Sequence, residues 1–419
     1  MMGFFYAKFS IFTRYFNDCE KGLFWPDICN VNEPMNRSKM TILLVLACLA
    51  WSSCDSDGVA QGDLDTIKPP NITIPDVKED FYYGADLSYV NEMIDCGALY
   101  KNAQDEIKDP YTIFSEAGTN LVRVRLWHNP DWTAYSDFED VKKTIQKAKQ
   151  EDMQVLLDFH YSDTWADPQK QRIPIAWEAY IDDKEKLGSL LYQYTYQILT
   201  DLAKEQLLPE LVQVGNEINP MILQGEKLIW PIDWDRNGYL INKGIEAVRM
   251  VSKEQNKELG VMLHIAQPEN ALWWFKEAAE NGVTNYDWIG LSYYPLWSEY
   301  DLSQVGNAFK TLIDTYDKRL MVVETAYPFT MDNADPANNI LGNEALVSGY
   351  PATQQGQLDY LIQLKKSIQD AGGEGLIYWE PAWVSTNCST LWGQGSHWDN
   401  ATLFDHDKKA TKAMSFYKH

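Results

Sequence analysis

Eight short extended-favouring runs, each followed by a helical pattern, leave this chain few folds to choose from. The runs are FYYGADLS (81–88), NLVRVRLWHNP (120–130), MQVLLDFHYSD (153–163) and LVQVGNE (211–217), then GVMLHIA (260–266), DWIGLSYYP (287–295), LMVVET (320–325) and EGLIYWEP (374–381). Helical patterns fill most of the gaps, over 137–150, 184–204, 235–255, 269–280, 302–316 and 354–370. In the first of these Val141, Ile145 and Ala148 share one face, and Ser136 is placed to cap it. The alternation predicts an α/β fold: a (β/α)8 TIM barrel, a single catalytic domain over residues 80–419. A doubly wound open sheet is the alternative, disfavoured because no glycine-rich phosphate loop follows the first run.

Polar and aromatic residues gather where these runs end: Asp86, Arg125, Asp158 with His160, Asn216 with Glu217, His264, Tyr293 with Tyr294, Glu324, and Trp379 with Glu380. In a barrel those ends share one rim, so residues far apart in sequence converge on one cleft. Either glutamate alone reads as an ordinary strand-end carboxylate. Two of them, each at the tip of its own strand, are the minimum for hydrolysing a glycosidic bond. Glu217 is assigned the acid/base, with a pKa raised by low solvation or a neighbouring carboxylate. Glu324 is assigned the nucleophile, held ionised by Arg125 and a hydroxyl from Tyr293 or Tyr294; for Arg125 a salt bridge at the rim of the core is the equal alternative. Strands 4 and 7 are placed on opposite sides of the barrel, with Asn216 set to contact the sugar 2-hydroxyl.

Composition narrows the substrate. The 419 residues carry 16 Trp and 24 Tyr, a density suited to stacking on sugar faces as well as to a large core. A net charge of −24 argues against a nucleic-acid partner and favours a neutral polymer over a polyanion.

The motifs GADLS, VRVRLWHNP, LDFHYSDTWADPQKQ, QVGNEIN, LSYYPLW and VVETAYP resemble glycoside hydrolase family 53, the arabinogalactan endo-β-1,4-galactanases. The resemblance spans residues 81–416, and LDFHYSDTWADPQKQ is its most specific element. It implies retaining endo-hydrolysis of β-1,4-galactosidic linkages in the (arabino)galactan side chains of pectin, with Glu217 as acid/base and Glu324 as nucleophile. It also implies galactan contacts from Asp86, His160, Trp165, Asp167, Asn216 and Trp379, to which the strand-end reading adds Arg125, His264 and Tyr293. The chemistry requires no cofactor. Some bacterial relatives hold a structural calcium after strand 7, where MDNADPANN offers Asp332, Asp335 and Asn338 as ligands. An Asn/Asp/Pro-rich surface loop is the competing account of that stretch. The rival functions are the same chemistry on β-mannan or β-glucan, and a non-catalytic glycan-binding lipoprotein.

The N-terminal region reads as an export address. Residues 35–53 resemble a lipoprotein signal peptide, a short basic stretch followed by TILLVLACLAW. Cys54 is then the lipidated residue of a Bacteroidetes-type surface lipoprotein anchored in the outer membrane, with Cys48 as the competing candidate. Residues 54–79 form a flexible tether. Residues 1–34 precede a good start at Met35 and have no assigned role, as a mis-called start would. A monomer is expected. Besides Cys54, only Cys96 and Cys388 remain after cleavage. They fall in the loops after strands 1 and 8, neighbours in a closed barrel. A disulfide and two free buried thiols are both open.

Overall fold

The computed structural model describes residues 81–419. The lipoprotein signal, Cys48, Cys54 and the tether lie outside the described residues. Eight parallel strands close into a barrel in sequence order: β1 (Tyr82–Asp86), β2 (Leu121–Leu126), β3 (Gln154–Phe159), β4 (Leu211–Val214), β5 (Gly260–Ala266), β6 (Trp288–Ser292), β7 (Arg319–Glu324) and β8 (Gly375–Tyr378). Around them run α1 (Val90–Asp95), α2 (Pro110–Ala117), α3 (Phe138–Gln150), α4 (Lys184–Lys204), α5 (Trp234–Gln255), α6 (Pro268–Glu280), α7 (Val305–Tyr316) and α8 (Gln354–Ala371). The eight expected strands and six expected helices are all present. The short α1 and α2 are additions to the expected pattern. So is a hairpin after β8, β9 (Ser389–Thr390) with β10 (Gly393–Gln394).

Helix boundaries follow from local chemistry. Asp109, Asp137, Asp183, Asp233 and Thr353 each accept a backbone N–H from the first turn of the helix they precede, satisfying a donor that has no partner within the helix. The expected cap at Ser136 is corrected by this: Asp137 caps α3, because Ser136 takes a left-handed φ of 57° one residue too early. Its backbone N–H instead donates to Asp140 Oδ2 at 2.7 Å.

The barrel interior alternates strictly in kind. Leu121, Leu156, Leu211, Met262, Trp288, Met321, Val323 and Ile377 form a closed apolar plug, with Tyr82 against it. Two residues further along the same strand faces stand Arg123, Asp158, Gln213 and His264, all buried. Period-two alternation therefore sets a polar floor directly above the plug. A second core fills the space between the strands and the helix layer.

β7 breaks that alternation. Leu291 of β6 pairs with Val322, but the next residue, Ser292, pairs with Glu324, and Val323 is left over as a bulge. Met321 and Val323 point into the plug, so strict alternation would send Glu324 outward to the helices. The extra residue re-aims it into the barrel mouth. β5 and β6 lie between β4 and β7, so the two strands are three steps apart, a correction to their expected placement across the full diameter.

Candidate active site

Glu217 reaches the mouth through a tight turn at the end of β4. Gly215 has φ +89°, and a Cβ there would meet Ile218 Cγ2 at 2.5 Å. Glu217 itself is held left-handed at φ +44°, a conformation costly for a residue with a long side chain and persistent only where neighbours impose it. Its backbone N–H points at His264 Nδ1 (3.3 Å), and Ile218 N–H donates to the His264 carbonyl at 3.0 Å. The carboxyl accepts the Ser292 hydroxyl on Oε1 at 2.6 Å. Ser292 is the register partner of Glu324 on the neighbouring strand, so the residue that binds the Glu217 carboxyl stands one ladder step, about 4.8 Å in backbone spacing, from Glu324.

One cation organises the floor beneath them. Arg123 Nη1 lies 2.8 Å from both Glu324 Oε1 and Asp86 Oδ2. Its Nη2 reaches Asp158 Oδ2 at 2.9 Å and Asn216 Oδ1 at 2.7 Å. Three carboxylates thus converge on one guanidinium, and the electrostatics of the glutamates follow. Burial, with the charges of Asp86 and Asp158 beside it, raises Glu324 to about 7, while Arg123 pulls the other way. Glu217 is raised well above the carboxylate range by burial, by the charge of Glu324 and by Asp167; Ser292 and Arg123 oppose this. Arg123 touches Glu324 directly, so Glu324 ionises first and the shared proton stays on Glu217.

Several expected contacts are placed differently. Arg125 is corrected to its alternative reading, a salt bridge: it pairs with Glu380 rather than with Glu324. Its guanidinium lies over Tyr89 (4.3 Å), Trp165 (4.5 Å) and Trp127 (5.0 Å), one step of alternation further up the strand than Arg123, which pairs with Glu324. Tyr293 is also corrected, because its hydroxyl donates to the Tyr300 carbonyl, away from the cleft. Tyr294 is the tyrosine within electrostatic reach of both glutamates. Asp86 lies in the floor, its oxygens taken by Ser88 and Arg123. His160 is buried there too, with Nε2 on Asp158 and Nδ1 accepting from Trp127 and Ala166. His264 is wholly buried between Asn216 and Ser292. Asn216 spends one amide N–H on the Ala166 carbonyl and keeps the other.

Trp165, Asp167 and Trp379 are the expected contacts that remain partly exposed. Trp165 and Trp379 stand 6.2 Å apart, and Trp379 packs edge-on against Trp398 at 4.7 Å. Together they form an aromatic wall along the mouth. Sequence reading missed Arg123, Gln213, Ser292 and Trp398. The signal for Arg123 was the alternation in VRVRL, which sends both arginines to the same interior face.

The loop after β7 carries the three residues offered as calcium ligands. Asp335 gives Oδ1 to Ala337 N–H and Oδ2 to Ser385 and Ser396, while Asp332 and Asn338 are exposed. No cluster of three acidic, histidine or cysteine side chains fit for a metal occurs among the described residues. The Cys96 and Cys388 alternatives resolve to a disulfide, with Cα atoms 5.8 Å apart.

Comparison with known proteins bears on this geometry. The family model for glycosyl hydrolase family 53 matches residues 82–417. An arabinogalactan endo-beta-1,4-galactanase of Cellvibrio japonicus is 57% identical over 342 residues, covering 81% of this chain and 90% of that one. An endo-beta-1,4-galactanase of Bacillus subtilis is 32% identical, covering 86% and 87%. Among solved structures, the family 53 catalytic domain from Ignisphaera aggregans superposes with TM-score 0.75 at 30% identity, covering 82% of this chain and 97% of that domain. A fungal beta-1,4-galactanase superposes with TM-score 0.71 at 26% identity, covering 81% and 99%.

Proposed function

The chain belongs to glycosyl hydrolase family 53, and we propose that it cuts internal β-1,4-galactosidic bonds of (arabino)galactan with retention of configuration. The observation that carries the mechanism is the unequal pair of glutamates: one is held by Arg123, the other by a neutral serine hydroxyl. Glu324, ionised, attacks the anomeric carbon. Glu217 protonates the departing glycosidic oxygen, leaving a covalent galactosyl-enzyme. Water then attacks the same carbon, Glu217 takes its proton, and Glu324 leaves. Asn216 offers its free amide N–H to the sugar 2-hydroxyl, and Trp165 and Trp379 offer faces for stacking. Two carboxyls suffice for each step, so no cofactor enters.

The test is hydrolysis of linear β-1,4-galactan, with β-mannan and cellulose oligomers as comparisons, and the first product read by NMR. Release of β-anomers from galactan is expected. First-formed α-anomers, or preference for mannan, would overturn the reading. Glu217→Gln is expected to abolish polymer turnover while keeping binding, and an unchanged rate would remove Glu217 from the mechanism.

The proposal extends to location. The basic stretch, apolar core and Cys54 support export as an outer-membrane lipoprotein facing the cell surface. Cys54→Ser is expected to release the protein from the membrane fraction; Cys48→Ser doing so in its place would move the anchor.

A further inference from the structure

We infer that Ser292 and His264 form a positioning pair that decides which oxygen of Glu217 carries the transferable proton. The inference rests on the acid/base assignment above and goes beyond it, to the two residues that aim the acid. The Ser292 hydroxyl donates to Glu217 Oε1 at 2.6 Å. With Oε1 taken up as acceptor of the serine proton, Oε2 is the oxygen left to carry the acid's own proton. The serine oxygen in turn lies 2.9 Å from His264 Nε2. Because the serine proton is committed to Glu217, the His264 contact must be Nε2–H donating to Oγ. That fixes the tautomer and leaves Nδ1 as an acceptor. Two donors meet it there, the Glu217 backbone N–H at 3.3 Å and Gln213 Nε2 at 3.1 Å; the Asn216 Oδ1, also 3.0 Å from Nδ1, takes its proton from Arg123 Nη2 at 2.7 Å.

His264 therefore grips Glu217 twice, through the backbone with one nitrogen and through Ser292 with the other. The ring is wholly buried. Burial and the nearby Arg123 and His160 keep it neutral, as a fixed tautomer requires. Around Glu217 the charged groups are Glu324 from β7, Arg123 from β2 and Asp167 from the loop after β3. None of these charges is the donor on Oε1, so Ser292 is the contact that distinguishes one oxygen from the other.

The experiment compares kcat/KM of Ser292→Ala and Ser292→Thr on linear β-1,4-galactan and on a dinitrophenyl β-galactobioside. The sugar leaving group needs a proton and dinitrophenolate does not, so misaiming the acid must hurt the first substrate more. Ser292→Ala is expected to lose about tenfold or more on galactan and several-fold less on the aryl glycoside. Its basic limb should move to higher pH, because a bond that favours ionised Glu217 is gone. Ser292→Thr should restore both. Equal losses on the two substrates, or an unmoved basic limb, would overturn the inference. An independent readout is 15N NMR of His264 in the folded enzyme: Nε2–H is expected across the active pH range, and Nδ1–H overturns the pair. Should the wild type cleave a β-1,4-linked polymer other than galactan, the same ratio is taken on that polymer, so the substrate assignment can fail while the pair stands.

Discussion

Arg123 and Arg125 are two residues apart on one strand, share one face and are both buried, yet they do different work. Arg123 holds Glu324, Asp86 and Asp158 together; Arg125 holds Glu380 under a lid of Tyr89, Trp127 and Trp165. The difference shows in pH dependence. Arg123 favours the ionised form of Glu324, so Arg123→Met raises a pKa that already stands at about 7. Ionised nucleophile is then lost sooner as pH falls. The acid limb of kcat/KM is expected to move to higher pH, with kcat down about 10²-fold or more. Arg125→Met should leave that limb in place. It should instead destabilise the fold by about 3–5 kcal/mol, since Glu380 would remain buried without its partner. A pH–rate series on both variants, with urea melts, separates the two, and an acid limb that follows Arg125 would reverse the assignment. The sequence revealed the two glutamates because each ends an apolar run. It could not tell one arginine from the other, because periodicity names a face and not a depth along it.

At the scale of elements, the strands were legible and their irregularities were not. LMVVE is apolar on both sides because β7 is covered by the plug within and helices without, which erases the period-two signal. The bulge at Val323 that turns Glu324 inward therefore leaves no trace in composition. α1 has six residues and α2 eight, shorter than the window over which helical periodicity is readable. The plug makes its own demand on sequence: bulky Ile377, Met262 and Trp288 are matched by glycines on neighbouring strands. A Cβ on Gly84 would lie 2.5 Å from Ile377 Cγ1 and 3.3 Å from its Cα, and β1 cannot retreat while paired to β8 at that residue. Gly84→Ala is expected to cost about 1–3 kcal/mol by overpacking. The check is the urea midpoint; an unchanged midpoint would mean the plug yields freely.

For the molecule as a whole, the decisive contact is the one that turns a sheet into a barrel, the β1–β8 seam. Four residue pairs join those strands, and the loops beyond their ends add to the closure. Tyr100 donates to the Ala382 carbonyl at 2.7 Å, Tyr83 donates to the C-terminal His419 carbonyl at 2.8 Å, and Cys96 is bonded to Cys388. The disulfide spans 292 residues of sequence, nearly the full length of the barrel chain. Linking positions so remote removes many open arrangements of the unfolded chain, and loss of such a bond costs about 2–5 kcal/mol. The site should feel little of this, because Glu217 follows β4 and Glu324 ends β7, and their side chains are held by Ser292 and Arg123. Paired replacement of Cys96 and Cys388 by serine is therefore expected to lower the urea midpoint while leaving kcat on galactan close to wild type. Dithiothreitol should lower the wild-type midpoint to match and leave the double variant unmoved. A double variant as stable as wild type, or one that keeps its stability and loses turnover, would show that the seam is closed by the strands alone, or that the bridge serves the cleft.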